Sequence, residues 1–192
     1  MIRARKLSKR FGEKRVLEAL DLEVPRGGFV VVTGPNGSGK TTLLRLCAGL
    51  AAPTDGELEV DAPRGCVGFL AHEPLVYREL TALENLDLYG RLYRIAERRE
   101  RCGAMLERFG LWGARNERTG TFSRGMLQRL ALCRTFLHEP DLVLLDEPFD
   151  GLDADGEKRL HLKLAEHGST VLVATHDPKS LAGRATARLA LT

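Results

Sequence analysis

A chain of 192 residues is long enough to bury a full core as one domain, and no stretch of it reads as a tandem copy of another. Its 29 basic and 26 acidic residues nearly cancel to a net charge of +3, so charge gives no reason to expect a nucleic-acid partner. The four cysteines, Cys47, Cys66, Cys102 and Cys133, are scattered without a C-x-x-C pair, which argues against a zinc site or a disulfide frame and for reduced thiols.

The first residues, Met1 to Lys6, are basic and lack the apolar stretch of a secretory leader, and no run approaches the ~20 apolar residues of a membrane span. The expectation is a soluble, cytoplasmic chain whose membrane role, if any, comes through a partner. Residues 3–24 read as short strands: Leu20, Leu22 and Val24 alternate with Asp21 and Glu23 before Pro25-Arg26-Gly27-Gly28 turns the chain. Phe11 is the only aromatic before Phe29 and stands 23 positions ahead of Gly34. An aromatic there is placed to fold back and stack on a base, although by residue type alone it is a packing residue.

Phe29-Val30-Val31-Val32 is an apolar strand, and residues 43–50 form an amphipathic helix. Between them run Gly34, Pro35, Asn36, Gly37, Ser38, Gly39, Lys40, Thr41 and Thr42, with the end glycines at the spacing of a Walker A loop. Glycine freedom lets successive N–H groups turn toward one anion, and the helix start adds its positive end. Lys40 is the residue to reach the β- and γ-phosphates and Thr41 to ligate Mg²⁺, so the loop is expected to bind a nucleoside triphosphate.

Beyond the loop helix, residues 57–60 and 66–70 read as strands around a Pro/Gly turn. The texture then becomes helical: Thr81-Ala82-Leu83-Glu84 is a capping box opening a helix over 82–94, and Cys102, Met105, Leu106 and Phe109 space a second helix that Gly110 stops. These helices predict a helical subdomain over 72–136 inserted into a core made of 1–71 and 137–192. The Arg98, Arg99 and Arg101 cluster reads as a solvated helix face. In Phe122-Ser123-Arg124-Gly125-Met126-Leu127-Gln128-Arg129, Ser123 suits an N-cap, and Met126, Leu130, Cys133 and Leu137 keep helical spacing; taken alone this is a capped helix with a second anion-binding start.

Leu142-Val143-Leu144-Leu145 is apolar on both faces, as a central parallel strand is, and ends in Asp146-Glu147. Buried carboxylates need a cation nearby, which Mg²⁺ between Thr41 and the phosphates would supply. The reading assigns Asp146 to the metal side and Glu147 to polarising the attacking water. Asp153 is placed to cap the next helix. Residues 170–175 form another buried strand that delivers His176 to the edge where parallel α/β folds bind ligands, within reach of a γ-phosphate. His138, His161 and His167 read as exposed positions.

In this order the motifs resemble those of the ATP-binding cassette (ABC) ATPases over nearly the whole chain: GPNGSGKTT, residues 122–129 at the signature, LVLLDEP, Gly151-Leu152-Asp153 as the D-loop, and His176 as the switch histidine. The resemblance implies an α/β fold: a P-loop NTPase (RecA-like) parallel-sheet core, an N-terminal antiparallel β subdomain and an inserted α-helical subdomain. It implies a head-to-tail dimer, of two copies or with a homologous ATPase subunit, in which each ATP lies between one subunit's Walker A loop and the other's signature helix. It promotes Phe11 to the adenine-stacking position and assigns nucleotide contacts to Ser123, Gly125 and Asp153. It further implies an integral membrane permease as partner.

Three departures from the family pattern involve four residues. His72 stands where the family usually has glutamine, Arg124 and Met126 replace the signature's usual glycine and glutamine, and Asp150 replaces the D-loop serine. His72 retains the capacity to donate or ligate, so hydrolysis is expected to survive. The segments 69–74 and 80–86 resemble the cytochrome c maturation haem-export ATPases, which would imply haem as cargo. The competing readings are a soluble ABC-type ATPase acting on nucleic acid or ribosomes, and a small-metabolite P-loop kinase. The former usually carries two cassettes or a long insertion; the signature segment and His176 argue against the latter.

Overall fold

A computed structural model describes every residue except His167 and Ala182. The chain is organised as two units. One comprises Met1–His72, Asp141–Glu147 and Ser169–Thr192, the other Glu73–Pro140 and Pro148–Gly168.

The first unit holds two sheets. Strands β1 (Ile2–Phe11), β2 (Lys14–Val24) and β4 (Asp55–Val60) form an antiparallel sheet in the order β2-β1-β4. Strands β5 (Val67–Leu70), β6 (Leu142–Asp146), β7 (Thr170–Ala174), β3 (Phe29–Thr33) and β8 (Ala187–Ala190) form a sheet in that order, every pairing parallel. The apolar runs behave as their composition requires: β6 and β7 are buried along their whole length. Helix α1 (Lys40–Cys47) turns Leu43, Leu44, Leu46 and Cys47 into one core with Ile2, Leu7, Leu17 and Val24 of the antiparallel sheet and Val30, Val32, Leu144 and Leu172 of the parallel sheet. Burying those Leu and Val side chains contributes about 1.5–3 kcal/mol each. The parallel core with an antiparallel sheet at the N-terminus is the architecture the motifs implied. The first two strands are long rather than short, with register irregularities along β1.

The second unit is helical: α2 (Ala82–Leu92), α3 (Arg98–Arg108), α4 (Arg124–Phe136) and α5 (Ala154–Glu166). The capping box forms as the sequence required, Glu84 N donating to Thr81 Oγ1 at 3.1 Å and Thr81 N to Glu84 Oε2 at 2.8 Å. Gly110, at φ +69°, ends the α3 segment in the left-handed conformation that favours glycine. The sequence reading kept 137–192 whole, but α5 groups with the helices. Arg159 Nη1 donates to Arg108 O at 2.7 Å, and Arg108 pairs with Glu166.

Two further expectations change. His138 and His161 are half-buried rather than exposed: His138 stacks on Tyr93 with centroids 3.8 Å apart, and His161 meets Phe149 at 4.9 Å. Flat rings there find aromatic neighbours from other segments, which local sequence does not reveal; His167 lies outside the described residues. Of the basic cluster, Arg98 pairs with Asp87 and Arg101 with Glu139, while Arg99 is exposed.

Candidate functional site

The loop of residues 34–39 crosses from β3 into α1, and its two outer glycines have no substitute. A Cβ on Gly34 (φ +151°) would lie 2.4 Å from Leu191 O, and one on Gly39 (φ +98°) 2.8 Å from Val16 O. Gly39 N-caps α1 without a side-chain cap, and its carbonyl accepts Leu43 N at 2.8 Å. The N–H groups of Lys40, Thr41 and Thr42 are therefore left at the positive end of the helix with no backbone acceptor among the described residues. Lys40 is 7% exposed, and its ammonium bends back to donate to Gly34 O at 2.7 Å and Pro35 O at 3.0 Å. Pro35 O also accepts Ser38 N at 3.2 Å, while the buried Ser38 hydroxyl has no partner among the described residues.

An open cleft of about 490 Å³ lies over this loop. Asn36, Gly37, Gly39, Lys40, Thr41 and Thr42 line it from the loop, Phe11, Lys14 and Val16 from the first hairpin, and His72, Asp146 and Glu147 from the ends of β5 and β6. Topology brings the last three together. β5 pairs in parallel with β6, Leu70 opposite Leu145, so residues just past both strands emerge at one sheet edge.

Thr41 Oγ1 donates to Asp146 Oδ2 at 2.7 Å. Asp146 is 2% exposed, and burial pushes its acid above the ordinary aspartate value; Glu147 adds to that rise, and the Thr41 hydrogen bond, His72 and Lys40 oppose it. A buried carboxylate with a hydroxyl on it is an oxygen donor set suited to a hard divalent cation such as Mg²⁺. The donors present fit that ion.

Glu147 takes the left-handed conformation at φ +46°, unusual for a side-chain-bearing residue and costing about 1 kcal/mol or more. The twist turns its carboxylate toward the end of β7, where it accepts His176 N at 2.9 Å and lies 2.9 Å from His176 Nδ1. As a carboxylate it only accepts, so Nδ1 carries the proton and Nε2 is the free nitrogen. The His176 ring is 68% exposed, whereas the Glu147 side chain is 13% exposed.

Phe11, the phosphate loop, His72, Asp146, Glu147 and His176 thus assemble within the first unit. Ser123, Gly125 and Asp153 belong to the second. There Ser123 caps α4, its Oγ accepting Met126 N at 3.3 Å; Asp153 Oδ1 accepts Gly156 N at 2.9 Å at the start of α5. Gly125 passes so near the 148–151 loop that a Cβ would lie 2.8 Å from Gly151 O. Two of the departing positions are partners, Arg124 Nη2 donating to Asp150 Oδ2. Residue-by-residue reading missed Lys14 and Val16; the signal was available, because Lys14 is the cross-strand partner of Phe11 in a tight hairpin.

The ABC transporter family model matches residues 17–150. The chain is 39% identical over 184 residues to the uncharacterized ABC transporter ATP-binding protein YdbJ of Bacillus subtilis (strain 168), covering 88% of this chain and 59% of that protein. It is 39% identical over 181 residues to the daunorubicin resistance ATP-binding protein DrrA3 of Streptomyces coeruleorubidus, covering 87% and 57%. It therefore spans somewhat under two thirds of the length of these relatives. Among solved structures, a dimer of the ATP-binding cassette MJ0796 in a post-hydrolysis state with ADP and Pi superposes with a TM-score of 0.89 at 30% identity, covering 100% of this chain and 94% of that one. With the family model spanning most of its length, and a phosphate loop, metal-type carboxylate and following glutamate gathered on one sheet edge, the chain belongs to the ABC transporter family, among its ATP-binding members.

Proposed function

We propose that this protein is the ATP-hydrolysing subunit of a membrane transporter, working as a head-to-tail pair. The observation that carries the reading is the convergence at one cleft of an uncapped helix start with Lys40, a Thr41–Asp146 oxygen pair, and Glu147 braced by His176. In this reading the backbone of residues 34–42 cradles the triphosphate, Lys40 neutralises its β- and γ-oxygens, and Phe11 stacks on adenine. Thr41 and Asp146 hold Mg²⁺, which when bound offsets charge on the phosphate oxygens. Glu147 accepts a proton from the attacking water, and His176 orients Glu147 through Nδ1 while its free nitrogen faces the γ-phosphate. His72 lines the same cleft and donates to water or phosphate. Ser123, Gly125 and Asp153 serve the nucleotide held by the other copy, a role supported by the dimeric form of the similar cassette.

Transport as the purpose is supported by the family, and a permease as partner and a peripheral position on the inner membrane face follow from that reading. No helix among the described residues is long and apolar enough to cross a membrane. Haem export is the finer reading; it rests on segments 69–74 and 80–86 alone, and neither relative described above is named for it.

The deciding experiment uses Glu147→Gln with ATP and Mg²⁺. Phosphate release is expected to fall about a hundredfold or more, and light scattering is expected to show a species of twice the protomer mass. Isolated protomers under those conditions, with nucleotide bound, would overturn the paired mechanism.

A further inference from the structure

The first hairpin ends in an exposed aromatic ring that is nonetheless held. Phe11 is 55% exposed, so packing alone does not fix it. Lys9, two residues earlier on β1, extends its ammonium over one face of the ring, 5.0 Å from the centroid. The same ammonium donates to Ala52 O at 2.7 Å. Two more bonds fasten this stretch of β1 to the segment after α1: Thr54 N donates to Ser8 O at 2.9 Å, and Arg10 N to Thr54 Oγ1 at 3.1 Å. Helix α1 begins at the phosphate loop, so a continuous covalent and hydrogen-bonded route runs from Lys40 through α1 and residues 52–54 to Lys9, and from its ammonium to the ring.

We propose that Lys9 is a positioning residue for base recognition: its ammonium fixes the Phe11 ring at a set distance from the phosphate loop and covers one face, leaving the other for the adenine of a nucleoside triphosphate. The inference rests on the adenine-stacking role assigned to Phe11 above. Its physical basis is that a cation held on one face of an aromatic ring is attracted by the ring's negative quadrupole, which restricts the ring before any base arrives. A pre-set ring loses less freedom on stacking than a loose one. Lys9 acts on the base end of the ligand alone, since it does not line the cleft that the phosphates would enter.

The test compares Mg²⁺-dependent binding of ATP and of inorganic tripolyphosphate to the intact chain, by calorimetry, for wild type, Phe11→Ala, Lys9→Met, Lys9→Arg and the Phe11→Ala/Lys9→Met double variant. Lys9→Met keeps an unbranched stem without the charge. It is expected to weaken ATP about threefold, the scale of an exposed cation–π contact, with tripolyphosphate unchanged; Lys9→Arg restores ATP binding, and the double variant is no worse than Phe11→Ala. If Phe11→Ala weakens ATP selectively but Lys9→Met does not, the role of Lys9 is refuted while base stacking stands. Equal weakening of ATP and tripolyphosphate by Lys9→Met refutes it as well, since that is general charge loss. If Phe11→Ala leaves ATP binding intact, the stacking reading fails and the Lys9 proposal fails with it.

Discussion

Asp146 illustrates how a single residue can be costly to the fold and still suit the role proposed for it in the site. It lies at the end of a fully buried strand, and burial raises its pKa above that of an exposed aspartate. A native pKa above the unfolded one means that the folded state binds the proton more tightly. The stability this contributes is complete below the unfolded pKa and lost as pH rises through the raised native value. At neutral pH the charged side chain is therefore a burden on the nucleotide-free protein. Asp146→Asn keeps the shape and removes the charge, so the variant is expected to melt higher by about 2–4 °C at pH 7, as for a ~1 kcal/mol gain in a chain of this size. It is also expected to lose Mg²⁺-dependent nucleotide binding. Thermal melts across pH, paired with nucleotide titrations, check both halves; a lower melting temperature at pH 7 would contradict the first. The thiols of Cys47 and Cys102 carry a simpler form of the same effect, burial pushing them up to about 12 and about 11, which leaves them unreactive at neutral pH.

At the scale of elements, α2 shows how a helix can anchor the irregular chain before it. Asn85 is 1% exposed on the inner face of α2. Its Oδ1 accepts Tyr77 N at 2.8 Å, and its Nδ2 donates to Tyr77 O at 3.0 Å and Thr81 O at 2.9 Å. The hydroxyl of buried Thr119 donates to Tyr77 O as well, at 2.9 Å. One amide, itself buried, thus ties down the turn over 77–81. Replacing it with alanine takes the acceptor from the part-buried Tyr77 N–H and a donor from the carbonyls of Tyr77, Leu80 and Thr81, at a cost of about 2–4 kcal/mol. Urea unfolding of Asn85→Ala is expected to show that loss in the midpoint, whereas Thr81→Ala, which removes one half of an exposed capping box, is expected to cost about 1 kcal/mol. Equal effects would mean that the Asn85 network is not the anchor described. The sequence announced the capping box through Thr81 and Glu84, but gave Asn85 no mark of its own, because an asparagine on a helix is usually exposed.

At the scale of the whole molecule, the division into a sheet unit and a helical unit separates two kinds of task. The sheet unit carries the cleft lined by Phe11, Lys40, Thr41, Asp146 and Glu147, where the proposed function places the nucleotide. The helical unit carries Ser123, Gly125 and Asp153, with α4 tied to the 148–151 loop by the Arg124–Asp150 pair and by Gln128 Nε2 donating to Pro148 O at 3.2 Å. The transport reading proposed above requires a membrane partner. Affinity purification of the tagged chain from detergent-solubilised membranes is expected to bring down a multi-spanning permease. A permease carried with cytochrome-assembly proteins would support haem as cargo, and one without them would remove that reading while leaving the ATPase reading intact. Recovery of nucleic acid or ribosomes without a permease would favour the soluble alternative.

Taken by itself, the sequence determined what short-range chemistry determines. Gly34 to Thr42 reads as a phosphate loop between strand and helix, the all-apolar Leu142 to Leu145 as a buried strand, and Thr81 with Glu84 as the start of a helix. Those signals are local because backbone conformation, helix capping and strand burial are settled by residues within a few positions of one another. Tertiary structure decided what depends on pairs far apart in the chain. It set Thr41 on Asp146 and His176 on Glu147, buried the rings of His138 and His161, moved α5 to the helical unit, and joined Arg124 to Asp150. Each of these requires strands separated in sequence to lie side by side or helices to cross, and the free energy of such contacts belongs to the packed arrangement rather than to either segment.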